Sequence, residues 1–310
     1  MAMARLLSCS HRLFPVRSLS WYGAMIRSAL FQKVTTLVTS ASLALAALAP
    51  TAISQPALPP KAKADSAKTP APLFTTKDFV VAGAFAVGTV AMFPWDERLA
   101  KHLTNPGAQA NRFFKNSSKG VEAIASPGAY IIGGTLYAVG RVGHFDRIAD
   151  LGWHGTEAVF VADVVTYALK GITGRSRPFV FNDTNPHNFK FFKGFGDGNR
   201  QSFPSGHATS AFAAAAAVTA ETGTWWPKST WVIGPLMYGG ATMVGLSRMY
   251  HNKHWASDVV LGAAVGTFSG QKIVQYSHAH PTRLDKALLH VSVLPDGTGG
   301  WAVAWTGAAP

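Results

Sequence analysis

Cysteine is almost absent from this sequence: its 310 residues include one, Cys9. A single thiol excludes an intramolecular disulfide framework and any cysteine-rich zinc site. Charge is scarce too, at 14% of residues, and acids are scarcer than bases, with 15 Asp plus Glu against 28 Lys plus Arg. So little charge beside 48% hydrophobic residues excludes a disordered basic tail and calls for a packed core. No unit of ~20–50 residues repeats along the chain, which excludes a solenoid. What is present in excess is positive charge, a formal +13 with a pI near 10.0. Such a balance suggests nucleic acid or an anionic membrane surface until the charges are located.

Five of the basic residues (Arg5, Arg12, Arg17, Arg27, Lys33) precede residue 55, where no acid occurs, and they lead into the uncharged run Val34 to Ser54. A basic region, an Ala/Leu-rich apolar run and then small residues around Pro50 predict an export signal, or an N-terminal anchor helix if the run is not cleaved. Residues 55–77 are rich in Pro, Ala and Lys without helical period and predict a linker. Removing the leader takes the charge from +13 to +8 and removes the only cysteine. The nucleic-acid signal then largely dissolves, and no nucleic-acid partner is expected.

The body, 78–280, reads as six helices. They are Phe79 to Phe93 stopped by Pro94, Ala123 to Gly140 starting after Pro127, Asp146 to Ile172, Ser205 to Thr222, Ser229 to Tyr250, and Trp255 to Tyr276. Small residues at Gly262, Ala263, Ala264 and Gly266 suit close helix packing in the last of these. The tail, 281–310, has two apolar stretches around the turn Asp296-Gly-Thr-Gly-Gly300 and predicts a β-hairpin. The expected class is therefore all-α, a six-helix bundle with a small C-terminal β-hairpin. A long Phe-rich connection, Thr173 to Pro204, is expected to be a substrate lid or a cap on the bundle.

Three segments at helix ends carry chemistry. Lys170-Gly-Ile-Thr-Gly-Arg-Ser-Arg177-Pro178 supplies a point charge and a guanidinium fork for phosphate oxygens, with Arg175 adding positive charge nearby. Pro204-Ser205-Gly206-His207 opens a helix whose N-terminal amides attract an anion, with a hydroxyl and an imidazole beside them. Ser247-Arg248 adds a cation, and His254 and Asp258, four apart, are expected to stack on one helix face so that the carboxylate orients the imidazole. Singly each pattern is common. Jointly they form a kit for phosphoryl transfer.

The set Lys-x6-Arg-Pro, Pro-Ser-Gly-His and Ser-Arg-x5-His-x3-Asp, in this order, resembles the signature of the type 2 phosphatidic acid phosphatase superfamily, which includes vanadium haloperoxidases and bacterial acid phosphatases. The resemblance implies a helical bundle and a two-step phosphatase. His254 would attack phosphorus, Asp258 would hold His254, and His207 would protonate the leaving oxygen. Lys170, Arg177, Ser205, Gly206 and Arg248 would hold the phosphate, with no metal in the site and no cofactor. The expected partner is a phosphorylated lipid, phosphatidate or polyprenyl diphosphate, or a small phosphate ester, handled at the membrane. The expected location is the periplasm or cell-envelope membrane, with the site outside the cytoplasm. The alternatives are a soluble acid phosphatase, a haloperoxidase holding vanadate in the same cradle, and a non-catalytic envelope protein.

Overall fold

Thr75 starts the fold by capping the first helix, its backbone N–H and hydroxyl both donating to Asp78 Oδ2 at 2.6 and 2.8 Å. The computed structural model describes residues 72–110, 112–182, 184–280, 291–295 and 301–305. The expected leader, most of the linker, and tail residues 281–290, 296–300 and 306–310 lie outside them. Helix α1, Thr76–Thr104, does not stop at Pro94 as its sequence predicts; it runs through the proline. Proline removes one backbone donor and crowds the preceding turn. Two interactions beyond it hold the helix on course: Lys101 pairs with Glu97 at 2.5 Å, and the fully buried Asp96 is drawn to Arg175 at 2.7 Å.

Two further helices fall where no element was expected. The single turn α2, Pro106–Gln109, is capped by Asn105, whose Oδ1 accepts from the Gly107 N–H at 2.8 Å. The amphipathic α3 spans Arg112–Ala125. The other five expected helices are present as α4 (Gly128–Val142), α5 (Asp146–Thr173), α6 (Gly206–Trp225), α7 (Thr230–Tyr250) and α8 (Ala256–Ala279). The backbones of β1 (Val291–Pro295) and β2 (Trp301–Trp305) pair antiparallel, Val293 opposite Val303.

The core is built from small residues rather than large ones. Ala158, Val159 and Ala162 of α5 are buried with Ala213 and Ala217 of α6 and Val274 of α8. On α8, Gly262, Gly266 and Gly270 form a stripe against α6. A Cβ at Gly266 would lie 2.3 Å from the Thr209 carbonyl, and one at Gly270 2.5 Å from the Ala213 carbonyl. Only hydrogen side chains let the two backbones meet so closely. That approach sets the N-terminal ends of α6 and α8 side by side, where the Ser205 N–H donates to the Asp258 carbonyl at 2.9 Å.

Candidate active site

Four helix ends converge on one place: the C-terminal ends of α5 and α7 and the N-terminal ends of α6 and α8. Helix α5 stops at Gly174, whose φ of +55° is left-handed and whose N–H donates to the Lys170 carbonyl at 3.1 Å. A Cβ there would lie 1.8 Å from the Lys190 carbonyl, so the chain turns toward Arg175 and Arg177 only because this residue is glycine.

Lys170 sits in the last turn of α5, its Nζ donating to the Gln201 carbonyl at 2.6 Å and its Cε 3.7 Å from a Cβ placed on Gly206. Burial, and then the neighbouring Arg177, push its ammonium down to about 7. Arg177 precedes a 3-10 turn at Pro178–Val180, with its N–H on the Asn199 carbonyl at 3.0 Å. Arg248 lies in the last turn of α7, and its Nη1 meets Glu122 of α3 at 2.8 Å. Ser205 holds the N-cap position of α6, yet its hydroxyl makes no cap hydrogen bond. The Oγ of Ser205 and the Nε of both Arg177 and Arg248 are buried without a protein partner. Buried polar atoms in proteins are nearly always satisfied. A polyvalent oxyanion at the meeting point of these three segments would satisfy all three.

The two histidines share this positive field. Burial, then Arg248, hold the His207 imidazole down to about 4, with Lys170 and Arg177 contributing further. His254, 3% exposed, is pushed down to about 3, mostly by burial and further by Lys170 and Arg177. Both rings therefore rest neutral at pH 7 before an anion arrives.

His254 is not on a helix face with Asp258, as their spacing predicts. α8 begins at Ala256, so His254 lies in the turn ahead of it, while Asp258 is the third residue of the helix and accepts from the Trp255 N–H at 2.8 Å. The nearest partner of His254 Nδ1 is the Ser202 carbonyl at 2.8 Å; Asp258 Oδ2 is 3.5 Å away. A carbonyl only accepts, so Nδ1 carries the proton and Nε2 keeps its lone pair. Ser202 serves twice, since its Oγ also donates to Asp258 Oδ2 at 2.5 Å.

Arg175 does not join the phosphate cradle, contrary to its sequence reading. It is 0% exposed, and its five N–H groups are all used. Nη1 donates to Asp258 at 2.6 Å and to Ser257 at 2.7 Å, and Nη2 to Asp96 and the Pro186 carbonyl, both at 2.7 Å. Nε donates to that same carbonyl at 2.9 Å. Phe93, Phe189, Phe203 and Trp255 surround its guanidinium at 4.7 to 5.6 Å. Phe189 and Phe203 of the Phe-rich connection are thus part of a scaffold around Arg175, while Phe191, Phe192 and Phe195 are exposed.

Asp96, Glu122 and Ser202 complete the site and were missed in the sequence. Asp96 and Glu122 lie outside the three motifs, and a backbone carbonyl such as that of Ser202 has no side-chain signature.

Residues 152–281 match the family described as the PAP2 superfamily. A stretch of 116 residues is 36% identical to the lipid A 1-phosphatase of Porphyromonas gingivalis, covering 36% of this chain and 22% of that protein. The chain therefore spans less than a quarter of that relative's length. Two solved structures are similar. One is the first transmembrane PAP2 type phosphatidylglycerolphosphate phosphatase from Bacillus subtilis (TM-score 0.48, 19% identity, 67% of this chain and 99% of that one). The other is LpxE from Aquifex aeolicus (TM-score 0.42, 18% identity, 59% and 96%). The matched segment contains all three motifs and the four converging helix ends, and over that segment this chain is similar to the PAP2 superfamily.

Proposed function

We propose that this chain is a phosphatase that removes phosphate from a lipid phosphomonoester or diphosphate through a phosphohistidine. The observation that carries the reading is the set of buried, unpartnered donors on Ser205, Arg177 and Arg248 beside a buried neutral imidazole. With Lys170 and the Gly206 amide they hold three phosphate oxygens and offset the charge that builds during transfer. Nε2 of His254 attacks phosphorus and the bond to the leaving oxygen breaks. His207, protonated once the anion is bound, gives its proton to that oxygen. A water then attacks the N–P bond, surrendering a proton to His207, and phosphate leaves with His254 restored.

A lipid substrate is favoured by the surroundings. A largely apolar cavity of about 380 Å³ is lined by Ile124, Ala211, Val218, Leu236, Met237 and Val244 among others. Ala211 lies one turn beyond His207 and Val244 one turn before Arg248, so an acyl chain in this cavity leaves its head group at the cradle. The relative from Porphyromonas gingivalis acts on lipid A, a phosphorylated lipid. Helix α1 is long and apolar enough to cross a membrane, and only 6% of its most apolar window is buried. Phe79, Val80, Val87 and Val90 lie exposed along it and suit lipid contact. We read α1 as a membrane-spanning segment, with the site opening outside the cytoplasm.

The test is phosphate release by the full chain in detergent from phosphatidate, phosphatidylglycerophosphate, lipid A, a polyprenyl diphosphate and a soluble aryl phosphate. A lipid phosphate should be preferred and His254→Ala should abolish turnover. Equal rates on the aryl ester, or activity surviving in His254→Ala, would sink the proposal. Retention of the chain in the membrane through a salt wash and release by detergent checks its location.

A further inference from the structure

At the opposite end of the bundle from the catalytic residues, three helices bring His154 of α5, Glu221 of α6 and His278 of α8 together. Glu221 lies 14 residues beyond His207 and His278 lies 20 beyond Asp258, or about 20 to 30 Å at the helical rise. No sequence pattern announces the cluster, because its members are 57 and 67 residues apart. His154 Nδ1 meets Glu221 Oε1 at 2.5 Å, and His278 Nε2 lies 3.0 Å from both Glu221 oxygens. The two imidazoles stand edge to face with centroids 5.0 Å apart, and one ligand atom from each residue lies within 4.8 Å of the others.

We infer that His154, Glu221 and His278 form a binding site for a divalent transition metal, with zinc the best-suited ion. Two imidazole nitrogens and one carboxylate are a donor set that zinc takes with bonds of about 2.0–2.2 Å. Ligand atoms around a tetrahedral ion then stand about 3.3 Å apart, so the contacts need to open by less than about 1 Å. Three features favour a cation here over a simple hydrogen-bonded triad. Glu221 is 0% exposed, and among the described residues no Lys or Arg pairs with it, so imidazoles alone face its charge. Two more acids stand close by. The Asp150 carboxyl feels both His154 and Glu221, and Glu157 accepts from Ser277 Oγ, beside His278, at 3.2 Å. Third, the His278 side chain is 41% exposed, which gives an ion an entry path and leaves a coordination position for water.

The ion would tie the start of α5 to the ends of α6 and α8, bracing the bundle at the end remote from catalysis. The experiment strips the full chain in detergent with chelator, reloads it with zinc chloride, desalts it and counts zinc by elemental analysis. Parallel samples follow the thermal midpoint and the visible spectrum with cobalt. One zinc per chain, a higher midpoint and a four-coordinate cobalt band are expected. His278→Ala should weaken zinc binding by roughly 10- to 100-fold, and His278→Cys, which restores a ligand, should recover it. His254→Ala should keep its zinc, since its imidazole belongs to the other end. Wild-type protein that retains no zinc overturns the inference. So does unchanged binding in His278→Ala, or loss of zinc in His254→Ala.

Discussion

Arg175 and Asp258 form a fully buried ion pair, Nη1 to Oδ1 at 2.6 Å, that joins the start of the Phe-rich connection to the first turn of α8. The same guanidinium reaches Asp96 on α1, so one side chain fixes two carboxylates and three segments of chain. Burying charges is favourable only when every partner is present, and removing one member of such a group costs about 3–5 kcal/mol. Arg175→Lys keeps the charge but replaces five donors in a fork with a single ammonium. It should therefore lower the thermal midpoint in detergent sharply. Arg177→Lys, whose Nε has no protein partner, should leave the midpoint nearly unchanged and reduce activity instead. Equal midpoints for the two variants would contradict the structural role of Arg175.

Asp258 is expected to matter less to the chemistry than a catalytic carboxylate usually does. Where a carboxylate alone sets the histidine tautomer, replacing it by the amide lowers turnover by about 10⁴. Here the Ser202 carbonyl, at 2.8 Å against 3.5 Å for Asp258, sets the tautomer of His254. Asp258→Asn should then cost roughly 10- to 100-fold in kcat, the scale of a positioning partner. Single-turnover rates on a lipid phosphate separate this from the complete loss expected for His254→Ala.

How legible the site is in the sequence divides along physical lines. Lys170, Arg177, Ser205, His207, Arg248, His254 and Asp258 lie in three short motifs at helix ends, and the fold gathers all three. The geometry between them was not legible. Spacing of four places His254 and Asp258 on one face only if both are helical, and the helix starts at Ala256. Arg175 looks like a third phosphate cation beside Arg177, because its partner Asp96 lies 79 residues away. The end of α1 was misjudged because the proline rule is local, whereas the pull of Arg175 on Asp96 is not. Helix α3, which brings Glu122 to Arg248 and to His251 at 2.6 Å, lies in a polar stretch with no apolar run to draw attention.

Acid should destabilise this protein through its buried histidines. In the unfolded chain a histidine binds a proton below about pH 6.5. In the folded chain His254 resists until about 3 and His207 until about 4. Between those limits the unfolded state holds more protons, so stability rises with pH and is fully present above about 6.5. Each group contributes a slope of about 1.4 kcal/mol per pH unit inside its window. The thermal midpoint should fall between pH 7 and pH 4.5, and fall less steeply in His254→Asn. Parallel slopes for the two proteins would remove His254 from the account.

Arg248 is held from one side only: Nη1 meets Glu122 while Nε has no protein partner and, under the proposed function, is left for the phosphate. Lysine in its place can satisfy the carboxylate or the phosphate but not both. A charge-assisted hydrogen bond is worth about 1.5–3 kcal/mol, so Arg248→Lys should reduce kcat/KM by roughly 10- to 100-fold. Steady-state kinetics on the preferred lipid phosphate would show this. A loss of less than about twofold would mean that the pocket is not closed by this guanidinium.

The close approach of α6 and α8 makes a prediction about glycines that the motifs do not. At Gly266 an added Cβ would lie 2.3 Å from the Thr209 carbonyl and 2.8 Å from the Ala213 nitrogen, both backbone atoms that cannot move aside individually. Gly266→Ala therefore has to push the helices apart, and His207 moves away from His254 and Asp258 with them. At Gly239, inside α7, nothing lies within 4 Å of the added carbon. There the same substitution only restricts the unfolded chain and improves helix propensity, which should stabilise by roughly 0.5–1 kcal/mol. Two glycine-to-alanine changes should thus have opposite signs: Gly266→Ala lowers the midpoint by overpacking of about 1–3 kcal/mol and lowers turnover, while Gly239→Ala raises the midpoint and leaves turnover intact. Thermal melts in one detergent, with turnover measured on the same samples, provide the check. A Gly266→Ala protein as stable and active as wild type would show that the helix contact does not set the spacing of His207 from His254 and Asp258.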